Sequence, residues 1–297
     1  MPENDSREVT SSVPTITRHE VDEAAAEENV ELLSAAIRRF VELIPKSPKS
    51  LNSVLKRSLD EFGYRCVGDP GAAWIDTWNT LLRAMQSSAA IFVAASTDEG
   101  EVEFRIGEDT VRREATGPTM DSNGVTWLNA LWLATICRER PRLDLLSAVP
   151  VDLLRGSRVQ YDEFVYTWAS TLQTYWRQGE NLVEGVLESM RGTDPAGLAH
   201  LSEEMVLEIY YPPIELFYHL TQREDAKFNE TLAEALELHK RFWTKEQERV
   251  NDPNGFVALG PLAVACLARD AGVAIEVESE YLPKHLLEGT WVGEHST

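Results

Sequence analysis

The segment from Ala72 to Ala95, AAWIDTWNTLLRAMQSSAAIFVAA, constrains this chain most, because alanine and apolar residues leave it little that could face water. Trp74, Trp78, Leu81, Leu82, Met85 and Phe92 recur at helical spacing and predict a central, well-buried helix. Such a helix has to be surrounded by others.

The rest of the sequence supplies them. A helix starting near Asn29 carries Val30, Leu33, Ile37, Phe40, Val41 and Ile44 and stops at IPKSPKS; a second, from about Ser50, ends at GDPG, and the two predict a helical hairpin. The segment VTWLNALWLATICRE puts Trp127, Leu128, Leu131, Trp132 and Ile136 in the core, and Arg140-Pro141 ends it. Tyr161 to Trp176 predicts an aromatic-rich helix, followed by Leu182 to Arg191. The helix around Glu203 to Tyr211 is expected to end at YYPP, with Pro213 opening a new one at an angle. Phe228, Leu232, Ala235, Leu236, His239, Phe242 and Trp243 share one face of a long helix, with Glu230, Glu234, Glu237 and Arg241 opposite. The clear β signal is EVEFRI and TVRREA flanking GED, a hairpin near residues 101–115. The expected fold is therefore mainly α: a compact multi-helix array of antiparallel helix pairs with one small inserted β-hairpin. Residues 1–28, polar and acidic, are expected to be a flexible leader, and residues 29–297 a single helical domain.

Charge narrows the partner. The chain has 28 basic against 49 acidic residues, a formal net charge of -21, whereas nucleic-acid binding needs clustered Lys and Arg. A basic protein partner fits better, although acidic excess also serves solubility alone. Cys66, Cys137 and Cys266 lie far apart without a CxxC pair and read as buried thiols of a reducing cytosol. The N-terminus lacks the basic flank and apolar stretch of a secretory signal. The longest apolar run, Phe256 to Ala268, is interrupted by Gly260 and Pro261 and is too short to span a bilayer. A soluble, cytoplasmic protein with no membrane partner is expected.

Familiar catalytic and metal signatures fail at identifiable positions. His19-Glu20 begins like a zincin motif, but Glu23 stands where the second imidazole would be needed. There is no GxSxG elbow, no GxxxxGK or GxGxxG phosphate loop, no Cys-His zinc spacing and no DxDxDG loop. No catalytic residue, cofactor or metal is expected. His239, on an apolar face beside Phe242 and Trp243, reads as a hydrogen-bonded core histidine, and His219 is the group that could pair with it in a catalytic site. His200 and His285 sit near helix ends; His19 and His295 are expected in flexible termini.

The C-terminal segment VAIEVESEYLPKHLL carries the candidate binding surface. In an extended chain Glu276, Glu278 and Glu280 share one face, with Ile275, Val277 and Ser279 on the other. Aligned carboxylates would complement Lys or Arg on a partner, and Tyr281 beside them is a favoured interface residue. In so acidic a chain a merely solvated face also accounts for the three carboxylates. Trp291 either clamps the tail to the body or stands exposed as an anchor, and completes the candidate set.

Several long segments, among them DTWNTLLRAMQSSAAIFVAA, GVTWLNALWLATICRE, EFVYTWASTLQTYW, YPPIELF, AEALELHKRFW and FVALGPLAVACLARDAGVAIEVESEYLPKHLLEGTW, resemble the immunity protein 49 family of bacterial polymorphic toxin systems, of the actinomycete type. The resemblance runs from about residue 30 onward and rests on collinear segments without a catalytic signature. It implies a cytoplasmic, mostly helical protein that protects its producer by binding a cognate toxin, without catalysis. The acidity would suit a basic toxin surface such as a nuclease domain. Two other readings stay open: a helical hydrolase or transferase with a cryptic His and carboxylate site, and a helical regulatory scaffold.

Overall fold

The computed structural model describes residues 13–47 and 49–294. As the sequence predicts, the chain is mainly helical. Strand β1 (Thr15–Ile16) precedes α1 (Glu23–Leu43) and α2 (Ser50–Gly68), which form the expected hairpin. Helix α1 begins before Asn29 because the Asp22 carboxylate accepts hydrogen bonds from the amides of Ala24 (3.0 Å) and Ala25 (3.1 Å). Only Ala26 and Ile37 of α1 are buried, so it forms an outer layer on α2.

Helix α3 (Ile75–Ser96) is buried around most of its circumference from Thr77 to Ala95, as its composition requires. Its start is fixed by Asp69, which accepts from the Ala73 and Trp74 amides and the Thr77 hydroxyl, each at 2.8 Å. Trp74 is not a core residue: it is 59% exposed. Its backbone is still extended just before the helix, so helical periodicity does not govern its direction. Glu61 joins the first three helices from a fully buried position, meeting Arg65 on α2 at 2.7 Å, Arg83 on α3 at 3.1 Å and the Ser34 hydroxyl on α1 at 2.6 Å.

The hairpin β2 (Glu101–Ile106) and β3 (Asp109–Glu114) is antiparallel, with Ile106 opposite Asp109 across a two-residue turn. Val102, Phe104, Ile106 and Val111 face the core in alternation, with Arg113 buried on the same side of β3, while Glu101, Glu103 and Arg112 face water. Then follow α4 (Gly124–Ile136), capped by Asn123 at 2.9 Å from the Thr126 amide, α5 (Arg140–Ala148), α6 (Val151–Arg155), α7 (Glu163–Trp176) and α8 (Leu182–Arg191). Asp162, just before α7, anchors the loop beyond α8 by accepting from the amides of Ala199 (2.6 Å) and Leu201 (2.8 Å). Burial alone would raise its pKa, but these bonds and one from His200 outweigh it and hold the carboxyl below its ordinary range.

Helix α9 (Glu203–Met205) passes through a π-turn, Val206–Tyr210, into α10 (Tyr211–Gln222). The expected break at YYPP is thus replaced by a widened turn. Pro212 and Pro213 have no amide hydrogen to continue a regular ladder, and the Tyr211 amide instead reaches back to the Val206 carbonyl. Helices α11 (Asp225–Thr244), α12 (Gln247–Val250) and α13 (Leu259–Asp270), strand β4 (Glu278–Ser279) and α14 (Lys284–Leu287) complete the chain. At the centre, α4 packs against α3 on one side and α13 on another, with α5, α6 and α7 closing around it. Helix α2 meets the turn Pro253–Gly255 backbone to backbone at Gly63, where a Cβ would fall 2.2 Å from the Pro253 carbonyl oxygen.

The N-terminal segment is a further correction. Residues 13–28, expected as part of a flexible leader, lie against the body: β1 pairs in parallel with β4, Thr15 opposite Glu278 and Ile16 opposite Ser279. This two-stranded contact was not foreseen, since it joins opposite ends of the chain. The Arg18 guanidinium donates to the Cys66 carbonyl at 2.7 Å, and Ile16 is buried. Residues 1–12 of the leader, and His295, lie outside the described residues. Cys66, Cys137 and Cys266 are free and buried, and burial pushes the Cys266 thiol up to about 12. Among the described residues no helix is long and apolar enough to cross a membrane.

Candidate functional site

The acidic C-terminal segment leaves α13 through Gly272, which turns the chain at φ +94°, and then runs extended. Asn229 on α11 holds it from both sides of its amide: Nδ2 donates to the Ala274 carbonyl (2.9 Å) and Oδ1 accepts from the Glu276 amide (2.7 Å). The Glu278 amide then donates to the Pro14 carbonyl at 3.0 Å, and β4 pairs with β1. Val277 is 5% exposed, whereas Glu276 and Glu278 on either side of it are exposed, so the period of two holds here.

Glu280 behaves differently. It is half-buried, and Oε2 accepts from the Arg18 amide at 3.0 Å, which draws the carboxylate toward the N-terminal strap. Beside the segment, α11 exposes Glu230, Glu234 and Glu237. Asn229, which holds Glu276, immediately precedes Glu230. The acidic surface is therefore wider than the sequence pattern suggested: Glu276 and Glu278 with the outer face of α11. That face was legible as polar, but nothing local in the sequence joins it to the C-terminal segment.

Tyr281 is fully buried. Its hydroxyl accepts from the His19 amide (3.2 Å) and bonds the His19 Nδ1 (2.8 Å), while its carbonyl accepts from the Ala258 amide (3.1 Å). An interface role does not fit that position; the residue locks the two chain ends together. Trp291 is half-buried, packs on the core and donates from Nε1 to the Ala72 carbonyl at 2.9 Å, the clamp arrangement.

The histidines take separate partners. His219 Nδ1 lies 2.8 Å from Glu224 Oε2, at the end of α10, whereas His239 Nε2 donates to the Gly255 carbonyl at 2.9 Å. The two imidazoles are not brought into one site. His19, expected in a mobile terminus, is buried, with Nε2 3.0 Å from the Val250 carbonyl. Among the described residues no group of three or more His, Cys, Asp or Glu side chains is placed to hold a metal ion.

His239 makes a pH prediction. Its ring stands edge-on to Tyr281 at 4.9 Å, and burial pushes its pKa down to about 4, against the opposing bond to Gly255 and with a smaller contribution from His19. In the unfolded chain the ring takes its proton near pH 6.5, but in the folded chain only near pH 4. The unfolded state therefore binds more protons between these values, and the stabilisation, complete above pH 6.5, is lost as pH falls through this window. The upper limit is roughly 3 kcal/mol. Burial lowers the His19 pKa as well, so it acts in the same direction. Urea unfolding at pH 7 and pH 5 should show lower stability at pH 5, with a shallower dependence in His239→Gln; equal slopes in the two proteins would remove His239 as the cause.

A family model described as Immunity protein 49 matches residues 69–286. The match covers most of the chain, from Asp69, which caps α3, into α14, and leaves α1, α2 and Trp291 outside it, a narrower span than the resemblance from residue 30 suggested. No curated protein and no solved structure matches.

Proposed function

The chain belongs to the immunity protein 49 family, and on that premise we propose that it neutralises a cognate bacterial toxin by direct binding, without catalysis, in the cytoplasm of its producer. The observation that carries the binding reading is the pair of exposed carboxylates, Glu276 and Glu278, on a segment fixed at Asn229 and Pro14. A surface held this firmly loses little conformational freedom on association. Carboxylates on it attract a basic partner and speed encounter, and the net charge of -21 extends that attraction. A toxin with a basic active surface, as a nuclease domain has, is the partner this surface suits.

The non-catalytic reading is supported by how the imidazoles are used. His19 and His239 are committed to internal bonds within the core, and His219 to the end of its own helix. The alternative of a shared His219 and His239 site gains nothing from their placement.

The test is charge reversal at the exposed pair. In Glu276→Lys/Glu278→Lys, association with the cognate toxin should slow by about tenfold at low salt, with the difference shrinking as salt rises. Both side chains point to water, so the thermal midpoint should hardly move. An unchanged association rate at low salt would remove this surface from the interface.

A further inference from the structure

Beside the π-turn, between α4 and the start of α13, lies a cavity of about 200 Å³ that none of Glu276, Glu278 or Glu280 lines. Helix α4 presents Val125, Leu128, Asn129 and Trp132 to it, at the spacing of a single helical face. The first turn of α13 lines it opposite, with Leu259, Gly260 and Pro261, and Phe62, Trp168 and Val257 add apolar walls.

The polar groups at this junction are donors that lack acceptors. Helix α13 has no side-chain cap, since Ala258 holds the cap position, and Pro261 carries no amide hydrogen. The amides of Leu259 and Gly260 therefore have no acceptor among the described residues. Trp132 is 6% exposed, and its Nε1 has none among them either. A Cβ on Gly260 would lie 3.7 Å from that nitrogen, which places the indole N–H beside the uncapped turn. Because a Cβ stands about 2.5 Å from its own amide nitrogen, the Gly260 and Trp132 nitrogens are at most about 6 Å apart. One acceptor group spans such a gap with two bonds of about 2.9 Å. Asn129, one turn before Trp132 on the same face, is half-buried, and its amide is also without a hydrogen bond among the described residues. These groups keep open surface, unlike Oε2 of Glu208 and Nε1 of Trp243, which are sealed into the surrounding wall.

Donors that meet at a helix start call for an acceptor, and the positive end of the α13 dipole favours a negative one. No Lys or Arg lines the cavity, so a doubly charged phosphate would be left with uncompensated charge, whereas a carboxylate spreads a single charge over two oxygens. Glu208 offers little opposition, because its Oε1 meets Arg241 Nη2 at 2.8 Å and its Oε2 is enclosed. The rings of Phe62 and Trp168 suit a flat, apolar body. We propose that this cavity binds a small aromatic carboxylate, whose oxygens accept from Trp132 Nε1, the Gly260 amide and Asn129 Nδ2 and whose ring lies among the apolar walls. The site goes beyond toxin binding and holds whether or not that reading does.

The probes are benzoate, benzamide and toluene, added to the purified full chain at about 0.15 M salt, where the field of the net charge is screened beyond about 8 Å. Benzoate should bind at least about tenfold more tightly than toluene or benzamide by calorimetry, and it should shift the indole N–H resonance of Trp132. Asn129→Leu and Trp132→Phe, each confirmed as folded by circular dichroism, should weaken benzoate by about tenfold and leave toluene unchanged. Asn129→Leu changes only a half-buried side chain and serves if Trp132→Phe does not fold. Benzoate no tighter than toluene or benzamide, an unmoved Trp132 resonance, full benzoate affinity in the folded variants, or no binding at millimolar concentration would each overturn the assignment.

Discussion

Trp127→Ala should destabilise the protein by about 3–5 kcal/mol, the range for removing a fully buried tryptophan. Trp127 is 0% exposed and lies on α4, the helix that α3 and α13 pack around. Its ring fills space that neighbouring helices cannot close without moving, and its Nε1 donates to the Leu146 carbonyl at 3.0 Å, tying α4 to α5. Truncation therefore opens a cavity and removes the shortest of the bonds to the Leu146 carbonyl, which keeps the Val149 amide at 3.2 Å and Gln173 Nε2 at 3.4 Å. For a chain of this size the thermal midpoint should fall by roughly 10 °C, at about 2–4 °C per kcal/mol. Trp127→Phe retains most of the volume and should cost about half as much or less. Denaturant midpoints for the three proteins decide the matter: a loss below about 1 kcal/mol for the alanine variant would mean that α4 is not the structural centre.

The parts of this fold that could be read from the sequence are those in which composition alone dictates burial. Helices α3 and α4 have too few polar residues to face water, and the hairpin alternates over each strand, so both follow from local pattern. What was missed depends on contacts distant in sequence. His19 is polar and sits in an acidic segment, and nothing nearby shows that it will be buried under Tyr281, 262 residues away. The π-turn was hidden because two prolines usually signal a break, while tertiary packing here keeps one helical path through them. Trp74 departs from the helical period because it is the residue just before the first turn of α3, where the backbone is still extended.

The candidate site shows the same division. Alternation correctly put Glu276 and Glu278 outward and Val277 inward, but treated Glu280 and Tyr281 as more of the same surface. Arg18 and His19 take those two residues for the N-terminal strap, and neither partner is visible from the C-terminal sequence.

The other large effect concerns toxin activity, and it separates binding from catalysis. An inhibitor that works by occupying its target removes one increment of activity per molecule, whereas an enzyme that modifies the toxin continues to act and needs only a small amount. Immunity should therefore be abrupt in mole ratio and flat in time. The decisive measurement is a titration of the purified protein into a fixed, high concentration of its cognate toxin, with residual toxin activity followed over hours. Direct binding predicts activity falling linearly to near zero at a fixed mole ratio, with a plateau below that ratio that does not change with time. Complete loss of activity at a small fraction of that ratio, progressing with incubation, would contradict the account and establish catalysis.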